Sequence, residues 1–193
     1  MDPGRHAHPR FPSWRAFVLT GRRRRREYPP EAIAARIGVG PADVVLDFGC
    51  GPGFFTEAFA AKAARVFAVD AQPAMLRKAR RRLGRAAARV EFVATGDGAR
   101  IDVPSASVDL VFVAYVYHEV GDPARVLAEL ARTLRHGGRL VIMERTEGGP
   151  SRFRAPVVDP ESVDREVRLA GFVFKERIRW SESSLLVFET PRP

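Results

Sequence analysis

Five short apolar runs, separated by helical patterns, constrain the fold of this 193-residue chain more than any other feature of its sequence. The runs are Val44 to Asp47, Val66 to Asp70, Val90 to Ala94, Val108 to Ala114 and Leu140 to Glu144. They are mostly continuous rather than alternating, as strands buried on both faces require. Since strands that alternate with helices form parallel sheets, we predict an α/β fold with five central parallel strands.

Three helices carry start signals that place a proline at the first helical position. The first begins at Pro73 and presents Met75, Leu76, Ala79 and Leu83 on one face. The second begins at Asp122-Pro123, presents Val126, Leu127, Leu130 and Leu134, and is predicted to stop at Gly137-Gly138. The third begins at Asp159-Pro160 and ends near Gly171.

Two further strands follow the last helix, at Phe172 to Trp180 and Leu185 to Glu189. Only Ser181 to Ser184 lie between them. A parallel pair needs a long crossover connection, so this short connection predicts an antiparallel hairpin.

Positive charge is concentrated at the start of the sequence. The formal net charge is +9, and residues 1–30 hold eight arginines against Asp2 and Glu27, a net +6. Five prolines and the run Arg22 to Arg26 lie there as well, so we predict a basic, proline-rich arm or lid over residues 1–30, followed by one domain at 31–193. The bias of 29 arginines over 3 lysines is what a GC-rich coding sequence produces, so a nucleic-acid partner is possible but not favoured.

The composition argues against several kinds of site and location. Cys50 is the single cysteine, which excludes an intramolecular disulfide and a cysteine-rich metal site, and we expect no bound metal. Apolar runs such as Val108 to Val116 are too short to cross a bilayer, and Met1 to Arg10 lacks the apolar region of a secretory signal. The expected location is therefore the cytoplasm, while the sequence gives no indication of oligomeric state.

The strongest local motif is the glycine loop Gly49-Cys50-Gly51-Pro52-Gly53, which follows a buried strand and opens a helix. Such a loop lets a ligand approach the backbone beside a helix N-terminus, although a tight turn without a ligand has the same appearance. A dinucleotide fingerprint would place its third glycine at position 54, where Phe54 stands. Asp47, at the start of this loop, would repel a pyrophosphate but attract an ammonium group.

Two more aspartates follow the next two strands, Asp70 directly and Asp97 within Gly96-Asp97-Gly98. Either residue alone could be an ordinary turn carboxylate. Because the carboxyl ends of parallel strands meet at one edge of the sheet, we expect Asp47, Asp70 and Asp97 to share a ligand crevice. Asp70 could accept hydrogen bonds from ribose hydroxyls, and Asp97 could accept one from an adenine amine.

These motifs resemble those of the class I S-adenosylmethionine-dependent methyltransferases, and most closely the branch related to ubiquinone and menaquinone biosynthesis. The resemblance covers roughly Pro29 to Glu144 and rests on several motifs in order. They are Val-Leu-Asp-Phe-Gly-Cys-Gly-Pro-Gly at 45–53, Val-Asp at 69–70, Gly-Asp-Gly at 96–98, Val-Asp-Leu-Val-Phe-Val at 108–113 and Leu-Arg-His-Gly-Gly-Arg-Leu at 134–140.

The resemblance implies a Rossmann-like doubly wound sheet of strand order 3-2-1-4-5-7-6, with strand 7 antiparallel. It implies S-adenosyl-L-methionine as cofactor, with its methionine part against the loop Gly49 to Gly53. Asp70 would hold the ribose, and Asp97 with the backbone of Gly98 would hold the adenine. The full set of cofactor-binding residues is Asp47, Gly49, Cys50, Gly51, Gly53, Asp70, Ala71, Asp97 and Gly98.

The fourth strand ends in Ala-Tyr-Val-Tyr-His-Glu-Val at 114–120, where the family places residues near the transferred methyl group. His118 could remove a proton from the acceptor, and Tyr115 or Tyr117 could orient the acceptor or face the sulfonium. His118 could equally pack against or cap the next helix, and Glu119 is more typical of a solvated side chain. Cys50 is interpreted as a packing residue rather than a nucleophile.

The sequence thus favours a methyltransferase acting on a small molecule whose identity it does not reveal. Cytosine-C5 chemistry is disfavoured because it needs a catalytic cysteine elsewhere, and the Asn-Pro-Pro-Tyr motif of amino-methylating nucleic-acid enzymes is replaced here by Ala-Tyr-Val-Tyr-His. Two alternatives stay open. One is an RNA or protein methyltransferase that uses the arm, and the other is a cofactor-binding regulator without turnover.

Overall fold

The computed structural model describes residues 20–148 and 155–191 of the chain. Within these ranges the helices are α1 (Arg22–Glu27), α2 (Pro30–Arg36), α3 (Thr56–Lys62), α4 (Pro73–Leu83), α5 (Pro123–Thr133) and α6 (Pro160–Leu169). The strands are β1 (Val44–Phe48), β2 (Arg65–Asp70), β3 (Val90–Ala94), β4 (Val108–Ala114), β5 (Leu134–Arg145), β6 (Val173–Trp180) and β7 (Ser183–Glu189). Short 3₁₀ helices occupy Gly84–Arg89 and Tyr117–Glu119.

The described strands form one sheet in the order β3-β2-β1-β4-β5-β7-β6. The first five pair in parallel, while β7 runs antiparallel to both β5 and β6. This confirms the predicted strand order and the antiparallel hairpin. Strand order reverses between β1 and β4, so a crevice is expected at their carboxyl ends.

Continuous apolar runs give the sheet a buried core on each face. Val45, Leu110 and Phe112 pack on one side with residues of α2 and α3. Leu46, Val111 and Val113 pack on the other side with residues of α5 and α6. Because successive side chains point to opposite faces, a sheet covered on both sides requires runs of this kind.

Three predicted boundaries are wrong by more than one residue: the end of α5, the start of β5, which lies at Leu134 rather than Leu140, and the start of β7. Helix α5 ends at Thr133, before the glycine pair, and Leu134 already belongs to β5. Loop residues Ala106 and Ser107 donate backbone N–H groups to the last carbonyls of the helix, at 2.9 Å each, which holds this earlier end in place. Ser183 and Ser184, predicted as turn residues, lie in β7 because their buried positions pair with the end of β5.

In the described ranges, every helix is too short or too polar to cross a membrane.

Candidate functional site

The glycine loop lies at the carboxyl end of β1 and is tied to the end of the neighbouring strand β2. The backbone N–H groups of Gly49 and Cys50 both donate to the Val69 carbonyl, at 2.8 and 2.9 Å. Gly53 N–H donates to the Cys50 carbonyl at 3.0 Å and closes the turn. These bonds fix the loop at the point where the strand order reverses.

The loop backbone has the left-handed geometry that favours glycine. Gly49, Gly51 and Gly53 have φ values of 71°, 53° and 81°. A Cβ atom on Gly49 would lie 2.4 Å from a methyl carbon of Val116, which follows β4. Glycine at 49 therefore allows the loop to pack directly against the segment after β4.

Asp70 connects the end of β2 to this loop. One of its carboxylate oxygens accepts the Gly51 N–H and the other accepts the Gln72 N–H, each at 2.8 Å. Asp70 is 8% exposed. An ionised carboxylate only accepts hydrogen bonds, so Asp70 places two acceptor oxygens beside the glycine loop.

Asp47 is buried beneath the loop, where the Thr56 hydroxyl donates to it at 2.5 Å. Burial raises the pKa of Asp47 to about 7, the Thr56 hydrogen bond lowers it, and the nearby Asp70 charge raises it further. These two carboxylates disfavour each other's ionisation, and a cation bound beside them would stabilise their ionised forms.

Asp97 lies in the loop after β3, where its side chain is exposed and accepts the Ala99 N–H at 3.0 Å. Gly98 has a φ of 80°, and a Cβ atom there would lie 2.7 Å from the ring of Phe48 at the end of β1. Gly98 therefore keeps this loop close to the glycine loop. Ala71 is half-buried directly after Asp70.

Cys50 is buried within the loop, and its thiol donates to the Gly51 carbonyl at 3.6 Å. Burial raises the pKa of this thiol well above its usual value, and the Asp47 and Asp70 charges raise it further. A thiol that stays protonated is a poor nucleophile, which agrees with a packing role.

Tyr115 and Tyr117 follow β4 but lie on opposite faces of the sheet. The Tyr115 hydroxyl forms a 2.8 Å hydrogen bond with the Ser183 hydroxyl of β7, and its ring meets the Tyr28 ring edge to face. Tyr117 is buried in the core beside α5 and α6, where its hydroxyl donates to Glu166 at 2.7 Å. The structure therefore separates these two candidates.

Tyr115 is also a point of backbone strain, with a φ of 57°. A non-glycine residue in the left-handed region costs roughly 1 kcal/mol or more, and such residues cluster at functional sites. Its N–H donates to the Met143 carbonyl of β5 at 2.9 Å, which holds the turn against the sheet. Burial raises the pKa of the Tyr115 hydroxyl well above its usual value.

His118 is paired with Glu144, a residue that the sequence analysis placed only at the end of a strand. The His118 Nδ1 lies 2.9 Å from one Glu144 oxygen, and the His118 backbone N–H donates to the other at 3.3 Å. The side chain of Glu144 is 3% exposed and that of His118 is 10% exposed. The sequence feature that could have indicated Glu144 as a site residue is its position as an acidic residue at the carboxyl end of a buried strand.

The described part of the predicted arm packs against the site. Arg24 of α1 is 7% exposed, and its guanidinium lies 4.8 Å from the Phe54 ring centroid and 5.1 Å from that of Tyr115. Burial lowers the pKa of Arg24. Arg25 donates to Glu57 of α3 at 3.0 Å. Two of the five consecutive arginines therefore contact the domain rather than forming a free basic tail.

The sequence profile of the methyltransferase domain matches residues 46–142. This chain belongs to the methyltransferase-domain family. It is 35% identical over 120 residues to the demethylmenaquinone methyltransferase of Thermobifida fusca, a match that spans 62% of this chain and 51% of that protein. The chain thus spans about half the length of this curated relative.

Solved structures of methyltransferases share the fold. An S-adenosylmethionine-dependent methyltransferase from Aquifex aeolicus superposes with a TM-score of 0.84, 22% identity and coverage of 93% of this chain and 98% of that one. The 1,6-didemethyltoxoflavin-N1-methyltransferase of Burkholderia thailandensis, solved with S-adenosylhomocysteine, gives 0.64 at 26% identity, covering 86% and 78%. The family is that of class I S-adenosylmethionine-dependent methyltransferases.

The residues present fit the family's cofactor, S-adenosylmethionine. Asp70 places a carboxylate, which accepts hydrogen bonds from hydroxyl groups, at the glycine loop, and the buried Asp47 carboxyl favours a neighbouring cation. Among residues 20–148 and 155–191, His, Cys, Asp and Glu form no group of three that could hold a metal ion.

Proposed function

We propose that this chain transfers a methyl group from S-adenosylmethionine to a small-molecule acceptor. The observation that carries the proposal is the pair of carboxylates, Asp47 and Asp70, fixed around a glycine loop at the strand-order reversal. A ligand with a positively charged methionine part and two ribose hydroxyls complements this arrangement. A pyrophosphate would be repelled by both carboxylates.

Each predicted cofactor residue has a role in this proposal. The loop of Gly49, Cys50, Gly51 and Gly53 contacts the methionine part, whose ammonium group is attracted by Asp47. Asp70 accepts from the ribose hydroxyls, beside Ala71. Asp97 and the Gly98 backbone receive the adenine, which suits the exposed carboxylate and the close approach of that loop to Phe48.

The names of the relatives support an acceptor of small size. Demethylmenaquinone and 1,6-didemethyltoxoflavin stand in the names of two of them, and these are different small molecules. Because β4 ends at the crevice where the strand order reverses, acceptor choice in this proposal depends on the segment after β4 and on the groups that pack over it. For this chain those groups include Tyr28 and Arg24 of the N-terminal segment.

The bound cofactor supplies an electrophilic methyl carbon on a sulfonium. We propose that His118 takes the acceptor's proton as the acceptor atom attacks that carbon, and the breaking C–S bond leaves its electron pair on sulfur. The products are the methylated acceptor, S-adenosylhomocysteine and a proton. Tyr115 stays protonated because burial raises its pKa, so it can orient the acceptor but not act as the base.

Tyr117 is proposed to have a structural role, since its hydroxyl is bonded to Glu166 on the opposite face from Tyr115. A Tyr117→Phe variant should then lose stability but keep its affinity for S-adenosylhomocysteine.

Calorimetry tests the cofactor part of the proposal. The chain should bind S-adenosylmethionine and S-adenosylhomocysteine at one site and should not bind NAD. Binding of NAD with neither adenosyl compound bound would overturn the assignment. Transfer of labelled methyl groups from S-adenosylmethionine to a panel of small acceptors would then identify the substrate.

We further propose a cytoplasmic location, which the single cysteine supports because a reducing compartment suits a protein without disulfides. Fractionation of the source cells with an antibody to the chain would test it.

A further inference from the structure

Helix α4 and the 3₁₀ helix that follows it carry a strongly basic surface. Residues 73–89 hold six arginines and Lys78 but no acidic residue, a net charge of +7, against +9 for the whole chain. Five of these arginines have exposed side chains, which we call the basic face: Arg77, Arg80, Arg81, Arg85 and Arg89.

Carboxylates do not neutralise most of the basic face. Four of its members have no ion pair with any residue that the structure describes: Arg77, Arg81, Arg85 and Arg89. In α6, by contrast, Arg168 pairs with Asp164 one turn away at 2.8 Å. Arg77 and Arg81 are also one turn apart, and like charges at this spacing destabilise a helix. An arginine-rich composition explains the number of arginines but not the lack of acidic residues beside them, so this surface is complementary to a polyanion.

The basic face adjoins further positive charge on α1. Glu57 of α3 accepts from Arg82 of α4 at 2.9 Å and from Arg25 of α1 at 3.0 Å, so one carboxylate links the two helices. The exposed side chains of α1 are all arginines: Arg22, Arg23 and Arg26. Two segments that are distant in the sequence therefore contribute to one positive region.

The basic face lacks the apolar groups that a protein partner or a membrane would contact. The large apolar side chains that are exposed in residues 20–148 and 155–191 lie on other elements, at Val157, Leu169 and Val173. Helix α4 already buries its own apolar side chains against the sheet. Protein interfaces have an apolar or aromatic centre, and helices that bind a bilayer insert an apolar face. Contacts with phosphates alone, however, are sufficient for binding to nucleic acid.

The chemistry of the basic face favours duplex DNA among nucleic acids. Proteins bind single strands by stacking bases on aromatic rings, but the ring of Phe92 is covered by the Arg80 guanidinium, 4.8 Å or less from its centroid at 4.5 Å. Guanidinium groups only donate hydrogen bonds, so they cannot accept one from the 2′-hydroxyl that distinguishes RNA. Each guanidinium can donate two hydrogen bonds to one phosphate. We propose that the basic face binds the phosphate backbone of double-stranded DNA.

The DNA is a binding partner in this proposal and not the methyl acceptor. Helix α4 connects the carboxyl end of β2 to the segment before the amino end of β3, so the arginines of its later turns lie away from the crevice. DNA bound there leaves the crevice open to cofactor and acceptor. The proposal therefore goes beyond the proposed methyl transfer and does not depend on it.

Fluorescence anisotropy with a short, labelled DNA duplex of mixed sequence tests the proposal over a range of salt concentrations. If four arginines contact phosphates, the logarithm of the association constant should fall with the logarithm of salt concentration with a slope of about −3.6, or roughly 150-fold between about 50 and 200 mM salt. A duplex of unrelated sequence should bind equally well, because backbone contacts carry no sequence information.

Two double variants give a matched comparison, because each changes the net charge by the same amount. Arg77→Glu with Arg81→Glu should weaken DNA binding by at least about tenfold and make the slope shallower by about 1.8. The control is Arg125→Glu with Arg165→Glu, two exposed arginines on helices that cover the opposite face of the sheet, and it should bind DNA nearly as the wild type does. Both variants should keep the affinity of the wild type for S-adenosylhomocysteine. If the glutamates lower the Tm, Arg77→Gln with Arg81→Gln repeats the comparison.

Several results would overturn the proposal. Equal weakening by the control pair would show that net charge alone governs binding. Absence of DNA binding, or binding that does not change with salt, would exclude the phosphate contacts. Tighter binding to an RNA duplex or to phosphatidylserine vesicles would show that the partner is not DNA. Failure of the wild type to bind S-adenosylhomocysteine would instead refute the proposed function, whatever the result with DNA.

Discussion

Replacement of Asp70 by asparagine tests the centre of the proposed cofactor site. The Asp70 carboxylate accepts two backbone N–H groups at 2.8 Å, from Gly51 and Gln72, and is proposed to accept from the ribose as well. Asparagine has the same shape as aspartate, but its NH₂ group would face one of these two N–H donors and cannot accept a hydrogen bond from it. Loss of hydrogen bonds to a charged group costs about 1.5–3 kcal/mol, so the Kd for S-adenosylhomocysteine should rise about 10- to 150-fold.

The same change should also lower stability, because one buried N–H loses its acceptor. That costs about 1–3 kcal/mol, and a chain of this size loses roughly 2–4 °C in Tm for each kcal/mol. Asp109→Asn is the matched control. Asp109 also accepts a backbone N–H, that of Val44 at 2.8 Å, but near the start of β4 and so at the other end of the sheet.

Calorimetry and thermal unfolding should separate the two variants. Both should unfold at a lower temperature, and only Asp70→Asn should bind S-adenosylhomocysteine more weakly. A folded Asp70→Asn variant with unchanged affinity would show that Asp70 only holds the loop. Equal weakening by Asp109→Asn would show that affinity follows general stability instead.

Three further predictions concern Asp47, His118 and α1. Burial raises the pKa of Asp47 from 3.8 to about 7, so the folded protein holds this proton more tightly than the unfolded chain does. The resulting contribution to the free energy of unfolding is complete below about pH 3.8 and is lost as pH rises toward 7. The ammonium group of the ligand would favour the ionised form of Asp47, so S-adenosylhomocysteine binding near pH 6 should release a proton. Calorimetry in two buffers would measure this proton release, and Asp47→Asn should abolish it. His118→Ala should lose roughly 10² to 10⁴ in turnover but bind S-adenosylhomocysteine almost normally, and full turnover would leave His118 only a packing role. Amide exchange at residues 20–28 should slow when S-adenosylhomocysteine binds, because Arg24 packs against the loop residue Phe54; equal protection with and without ligand would contradict a lid.

Most of the fold could be predicted because its signals are local. Runs buried on both faces specify parallel strands, and proline at the first helical position marks where α4, α5 and α6 begin. The end of α5 could not be read in the same way. It depends on carbonyls that accept from Ala106 and Ser107, more than twenty residues earlier in the chain.

The glycine loop illustrates which features of the site could be predicted from the sequence and which could not. The sequence indicated that the glycine loop lets a ligand approach the backbone and that Asp70 follows the next strand. It did not indicate that Asp70 accepts the Gly51 N–H, nor that Val116 fills the space where a side chain at 49 would lie. Both contacts depend on how the two strand ends are aligned in the assembled sheet.

The residues that follow β4 show more clearly the difference between what sequence predicts and what the fold determines. Sequence placed Tyr115, Tyr117 and His118 after β4 because a buried strand ends there, but it could not say which of them point the same way. Strain at Tyr115 and the short 3₁₀ helix after it send Tyr115 and Tyr117 to opposite faces.

Sequence alone therefore determined the fold class, the strand order through a family resemblance, and the positions that follow the carboxyl ends of the strands. Hydrophobic period and turn chemistry act over a few residues, so a single chain displays them directly. Only the tertiary structure brought Glu144 to His118, 26 residues apart, and packed Arg24 between the rings of Phe54 and Tyr115. Such contacts depend on strand register and helix docking, which are decided when distant segments bury their surfaces together.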